Sequence, residues 1–256
     1  ASVLVGRAAD DAQLQKWLKA ALDGSRQIVF VIGEPGVGKS ALAEAFLQRV
    51  PNGIWTARGH CIEQYGAGEA YMPVLEAFTG LSRNDHEGTL LRVLKNHAPT
   101  WLAQMPGLAA KVGNDTLQRE VLGATRERML REMADAIEAL TSEVPLVLLL
   151  EDLQWCDHST LDLISYLGRR SSSARLLIIA TYRPVDVILS QHPLKTVHRE
   201  LQLHGLCRDL RLEYLTENDV SEFLRRRFSP NNFDPALSQK IHTRTEGKPL
   251  FLVTVC

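Results

Sequence analysis

Gly33-Glu34-Pro35-Gly36-Val37-Gly38-Lys39-Ser40 fits the pattern G-x-x-x-x-G-K-[S/T] and stands between Gln27-Ile28-Val29-Phe30-Val31-Ile32 and Ala41-Leu42-Ala43-Glu44-Ala45-Phe46-Leu47. The leading run is β-branched and apolar, as a buried strand should be, and the trailing run has helical composition. Strand, loop and helix therefore follow in the order that a phosphate-binding loop requires. Glycines let backbone N–H groups turn inward around phosphate oxygens, and the new helix presents its positive end to the same anion. In that reading the stretch from Gly33 to Ala41 holds phosphate, Lys39 reaches the β- and γ-phosphates, and Ser40 offers its hydroxyl to Mg²⁺. The competing account is a glycine-rich turn with a solvated lysine, and the flanking strand and helix argue against it.

Composition restricts the rest. The chain has 256 residues, 45% of them hydrophobic and 23% charged, which is enough to bury a core and to hold one large domain with a smaller one. Lys and Arg number 29 against 30 Asp and Glu, a net charge of −1, so no global basic field is available to hold nucleic acid. Cys61, Cys156, Cys207 and Cys256 form no C-x-x-C pair and read as reduced, mostly buried thiols. The opening Ala1-Ser2-Val3-Leu4-Val5 lacks a basic segment followed by an apolar core, and the run from Pro145 to Leu150 is too short to span a bilayer. A cytoplasmic domain that neither enters a membrane nor binds nucleic acid directly is the expectation.

Downstream, Val144-Pro145-Leu146-Val147-Leu148-Leu149-Leu150 reads as a strand covered on both faces and ends in Glu151-Asp152. Carboxylates at the carboxyl end of such a strand stand at the ligand crevice of an open α/β sheet. Glu151 is assigned to Mg²⁺ through its water shell, and Asp152 to the attacking water. Asp157 or Ser159 then caps a helix through Leu161, Ile164 and Leu167. A third run, Arg175 to Thr181, leads into Tyr182-Arg183-Pro184 and puts Arg183 at a strand end, where it either touches the γ-phosphate or pairs with Asp186.

Val5-Gly6-Arg7, Gly33 to Ser40, Leu150-Glu151-Asp152-Leu153-Gln154-Trp155, Ala180-Thr181-Tyr182-Arg183-Pro184 and Glu246-Gly247-Lys248-Pro249-Leu250-Phe251 together resemble the STAND class of signal-transduction P-loop ATPases. Within it, the chain is similar to the AAA-ATPase-like modules of bacterial regulators that also carry adenylyl cyclase, LuxR-type or tetratricopeptide-like domains. The resemblance implies that Val5, Gly6 and Arg7 lie near adenine, that Pro249 closes over the base, and that the strand order is 5-1-4-3-2. It also carries the preference for ATP and ADP; no guanine-reading N-K-x-D motif follows the strands. Many rapid hydrolases of the wider class place aspartate before glutamate at the acidic pair, whereas this chain has Glu151 then Asp152. The shorter second side chain reaches less far toward a water, which suggests a slow, switch-like ATPase.

The fold class expected is α/β, a three-layer P-loop sandwich with strands near 27–32, 53–58, 144–150, 175–181 and 209–213. An ATPase domain over 1–214 is followed by a helical subdomain over 215–256, opened by a cap at Thr216-Glu217-Asn218-Asp219, with further sensor and output domains expected outside the fragment. Between them, Gly66 and Gly68 read as a plain loop, Pro73 opens a helix, Trp101, Met105 and Leu108 read as core, and Thr116 to Leu140 as a helical stretch broken near Gly123. Arg225-Arg226-Arg227 reads as a helix end, and Cys156 with His158 offers too few ligands for a metal site. The leading function is a Mg-ATP-dependent regulatory switch with possible nucleotide-dependent self-association. The alternatives are a non-hydrolysing scaffold gated by ADP or ATP, and an AAA-type motor or loader.

Overall fold

Continuous apolar runs become strands buried on both faces when helices cover each side. In the computed structural model, which describes residues 4–63, 69–83, 85, 87–112, 125–228 and 233–255, three such strands form the centre of a five-stranded sheet whose two edge strands are half exposed. The five are β1 (Gln27–Ile32), β2 (Trp55–His60), β3 (Leu146–Glu151), β4 (Leu176–Tyr182) and β5 (Arg208–Arg211). The order is β2-β3-β4-β1-β5, and all four pairings are parallel. Read from the other edge this is the expected 5-1-4-3-2.

Period-two alternation sorts the side chains into two layers. Val29, Val31, Val147, Leu149, Leu177 and Ile179 pack with α1 (Ala8–Leu22) and α2 (Lys39–Leu47) on one face. Ile28, Phe30, Leu148, Leu150 and Ile178 face α3 (Met72–Leu81) and the helices Arg126–Glu143 and His158–Arg169 on the other. Trp101, Met105 and Leu108 are buried in this second layer, and the Trp101 indole N–H donates to the Met129 carbonyl at 2.8 Å.

The strand bounds move where local chemistry intervenes. β2 begins at Trp55 rather than 53 because Gly53, in a left-handed conformation, ends a turn closed by Ile54 N–H on the Pro51 carbonyl. β3 begins at Leu146 rather than 144 because Val144 still caps the preceding helix, its N–H on the Leu140 carbonyl at 2.9 Å, and Pro145 has no N–H to give. β5 lies at Arg208–Arg211 instead of 209–213. Residues 113–124 and the Gly66-Gly68 loop lie outside the described residues. Thr125 caps the helix that follows, and Asp157 rather than Ser159 caps His158–Arg169.

A third apolar cluster gathers Val5, Leu215, Val220, Phe223, Leu224 and Leu252. It belongs to the helices Glu217–Arg227, Pro235–Thr245 and Pro249–Val255. Thr216 and Asp219 form a reciprocal capping box at the first of these, and Arg225, Arg226 and Arg227 occupy its last turn, where cations complement the helix dipole. No helix among the described residues is long and apolar enough to cross a membrane.

Among the described glycines, Gly59 has the least room, since a Cβ there would stand 1.8 Å from the Pro73 carbonyl oxygen at the start of α3. Backbone cannot yield as a flexible side chain does. Gly59→Ala is expected to destabilise the domain by at least about 1–3 kcal/mol through overpacking, and a thermal melt unchanged from wild type would contradict that packing.

Candidate functional site

The loop from Gly33 to Ser40 closes through its own glycines. Gly36 and Gly38 hold φ of 76° and 98°, a region closed to most side chains, and Gly38 in that conformation starts α2 directly at Lys39. Gly33 N–H donates to the Tyr182 carbonyl at 3.4 Å, which ties the loop to the end of β4, and Val37 N–H returns to the Glu34 carbonyl at 3.3 Å. Lys39 is 7% exposed, with its Nζ donating to the carbonyls of Gly33 at 2.7 Å and Glu34 at 3.1 Å. Burial first, and then the nearby Arg183 charge, push the Lys39 ammonium down to about 8. Two cations, Lys39 and Arg183, thus stand close enough at this loop to repel each other, an arrangement that an anion would relieve. Ser40, next in the helix, is exposed together with Pro35 and Ala41.

The ends of β3 and β4 face this loop across the crevice. Asp152 takes a left-handed backbone at φ 57°, ψ 49°, a cost usually met only where surrounding contacts impose it. Those contacts are explicit: Asp152 N–H donates to Thr181 Oγ1 at 3.0 Å, and Gln154 Nε2 donates to Asp152 Oδ1 at 2.9 Å. Gln154, fully buried, also accepts the Arg183 backbone N–H at 3.1 Å and so joins the two strand ends. Arg183 Nε lies 3.6 Å from Asp152 Oδ1, and its Nη1 lies 3.6 Å from Asp186 Oδ2. Of the two expectations for this arginine, the structure shows the one near Asp186, and it also sets Arg183 against Asp152 at the end of β3.

Glu151 has a different setting. Its carboxylate is 2% exposed and accepts from Arg58 Nη2 at 2.5 Å and lies 3.0 Å from His60 Nε2, both on β2. A metal at this carboxylate shares it with two basic side chains, which favours a contact through water over direct ligation. Period two places Arg58 and His60 on one face of β2, with His60 in register with Glu151. That signal was present in the sequence, but a strand ending at residue 58 concealed it.

Beside the loop lies an apolar slot of about 110 Å³ walled by Val5, Val37, Ala41, Phe223, Pro249 and Leu252. The slot adjoins the loop through Val37, Gly38 and Ala41. Arg7 borders the slot but has another task, because its Nη2 donates to the carbonyls of Val37 at 2.9 Å and Glu213 at 2.6 Å. It clamps the Gly33–Ser40 loop to the segment leading into the C-terminal helices. Gly6 turns elsewhere, its Cβ direction pointing at Asp219 and Leu215. Pro249 approaches Gly38, and Leu250 N–H donates to the Gly36 carbonyl at 3.2 Å. Thr181, Gln154 and Leu250 carry contacts that no local pattern announces.

A family profile described as AAA ATPase domain matches residues 3–179. No curated protein matches the chain. Among solved structures, the Walker-type ATPase of Pyrococcus abyssi shares 17% identity at a TM-score of 0.59, over 98% of this chain and 66% of that one. The Drosophila ORC bound to DNA shares 14% identity at 0.53, over 99% of this chain and 55% of that one. At these identities the likeness is one of fold, and the chain spans 66% and 55% of the lengths of those two.

Proposed function

The chain belongs to the AAA ATPase domain family, and on that premise we propose that it binds Mg-ATP with its base in the slot at Val37 and Pro249 and hydrolyses it slowly as a conformational switch in a multidomain regulator of the STAND type. The observation that carries the reading is the Leu250–Gly36 hydrogen bond, because it docks a C-terminal helix on the loop that would cradle phosphate. A nucleotide that fills the loop competes with or reinforces this contact, and ATP and ADP then bias the helix differently only through their different contacts.

In this reading Lys39 holds the β- and γ-phosphates, Asp152 orients the attacking water and accepts its proton, and Arg183 reports the γ-phosphate. Ser40 and Glu151 fit Mg²⁺ as an exposed hydroxyl and a carboxylate at the strand end, the latter through water. The ion would supply charge neutralisation on the phosphates. Slow turnover is supported by Asp152 itself, which is short and held by Gln154 and Arg183.

Single- and multiple-turnover hydrolysis of Mg-ATP, with bound nucleotide identified after gentle denaturation, tests the whole reading. Slow turnover is expected; rates comparable with motor ATPases would reject the switch, and tightly held ADP without turnover would make the domain a nucleotide-locked scaffold. Arg183→Ala is expected to weaken ATP about tenfold, the scale of one charge-assisted hydrogen bond, while leaving ADP nearly unchanged. Equal losses for both nucleotides would remove Arg183 from γ-phosphate sensing. Nucleotide-dependent self-association belongs to the same proposal and is read by the sedimentation of the chain with ADP and with ATP.

A further inference from the structure

On the sheet face away from α2, Phe30 of β1 packs against the ring of His198, at 4.4 Å between centroids. His198 comes from the helix Leu194–Leu203, which reaches β5 through His198 and Gln202 on Asp209. Cys207, just before β5, and Asp209 within it differ by two positions and therefore point to the same side of the edge strand. The three meet: one ligand atom from each of His198, Cys207 and Asp209 lies within 4.8 Å of the others, with His198 Nε2 2.7 Å from Asp209 Oδ1. His198 is 7% exposed and Cys207 8%. None of the three belongs to the nucleotide crevice.

We propose that His198, Cys207 and Asp209 form a binding site for a borderline-soft divalent cation, zinc in the first place. An imidazole, a thiolate and a carboxylate suit zinc, whereas magnesium and calcium prefer oxygen alone. Three protein ligands leave the fourth tetrahedral position to water. Zinc–nitrogen and zinc–oxygen bonds of about 2.0–2.1 Å and a zinc–sulfur bond of about 2.3 Å set neighbouring ligand atoms roughly 3.3–3.6 Å apart. The His198–Asp209 pair then opens by roughly 0.6 Å and the thiol closes by roughly 1.2 Å at most, movements within the reach of side-chain torsions.

The surrounding partners orient the ligands as outer-sphere groups do in built sites. Tyr182 Oη lies 3.1 Å from His198 Nδ1, and Gln202 Nε2 donates to the second Asp209 oxygen at 2.7 Å. Binding moves the imidazole proton to Nδ1, where it is donated to Tyr182 Oη, and frees Nε2 for the metal. The Cys207 thiol releases one proton to solvent, so charge and protons balance without any redox partner. The Cys156–His158 pair weighed from sequence finds no third ligand atom to form such a group among the described residues.

The test uses the whole chain, freed of metal and nucleotide, with Co²⁺ as the spectroscopic probe and Zn²⁺ as competitor. One equivalent of cobalt is expected to give a thiolate-to-metal charge-transfer band that zinc abolishes. Cys207→Ser retains the His198–Asp209 hydrogen bond and so the local fold, checked by its melt, but loses the band. Cys61→Ser keeps it. Gln202→Ala weakens zinc by about 10- to 100-fold, as the loss of an outer partner does. Absence of the band in the wild type, or its persistence in Cys207→Ser, would overturn the site.

Discussion

Lys39→Ala lowers ATP hydrolysis by at least about 10²- to 10³-fold, the usual cost of removing a preorganised charged donor from a transferring group, while the nucleotide-free protein melts no lower than wild type. The second half of that expectation separates it from simple misfolding. In the free protein the Lys39 ammonium is buried, bonded only to the Gly33 and Glu34 carbonyls, and crowded by Arg183. A buried ammonium whose titration point is pushed down is one that the fold tolerates at a cost, so deleting it relieves the free protein and harms only the complex. A melt that falls by more than a few degrees would mean that Lys39 supports the loop itself.

On the proposed reading the same group is expected to give ATP binding a pH dependence. The ammonium titrates near 8 in the free protein, below the 10.5 usual for lysine. Between these values the unfolded chain holds more protons than the folded one, so this group's contribution to stability becomes more favourable as pH rises through that window. Binding runs the other way. A polyphosphate needs the charged form, so apparent ATP affinity falls as pH climbs above about 8, by up to tenfold per unit, with proton uptake on binding. Isothermal titration at pH 7 and pH 9 in buffers of different ionisation enthalpy reads both; a flat profile with no proton uptake would remove the shifted lysine from the binding equilibrium.

What was legible in the chain was whatever is decided locally. β1 and the glycine loop are determined by neighbouring residues: an apolar run buried on both sides, then glycines in conformations that other residues avoid. The capping box at Thr216 and Asp219 is likewise three residues wide. What escaped depends on residues brought together by folding. Arg7 binds carbonyls at 37 and 213, Glu151 is shared between Arg58 and His60 on the adjacent strand, and Gln154 joins the ends of β3 and β4. Only the shared face of Arg58 and His60 follows from local spacing; which carboxylate they meet, and the other contacts, do not, because separation between strands is set by insertions and not by geometry within them. The sheet order was available through resemblance rather than through any pattern in the strands; the apolar runs of the three central ones look alike.

Asp152→Asn lowers hydrolysis by about 10²- to 10⁴-fold, the contribution of a positioned base, and leaves ATP binding equal to or tighter than wild type. The substitution is close to isosteric, asparagine tolerates the left-handed backbone at φ 57° as aspartate does, and its side-chain oxygen still accepts from Gln154. What disappears is the negative charge that faces Arg183 at 3.6 Å and helps keep Lys39 protonated. Removing a carboxylate beside the phosphate site lessens repulsion of the ligand, whereas removing the proton acceptor stops chemistry, so binding and turnover move in opposite directions. Glu151→Gln behaves differently, because it breaks a buried carboxylate's pairing with Arg58 and His60 and so lowers the melting temperature together with activity. If Asp152→Asn hydrolyses ATP within about threefold of wild type, well short of the loss a base should cost, the base lies elsewhere. Arg58, His60 and Glu151 then become the group in which to look for it, since theirs is an ionisable cluster at the carboxyl ends of β2 and β3.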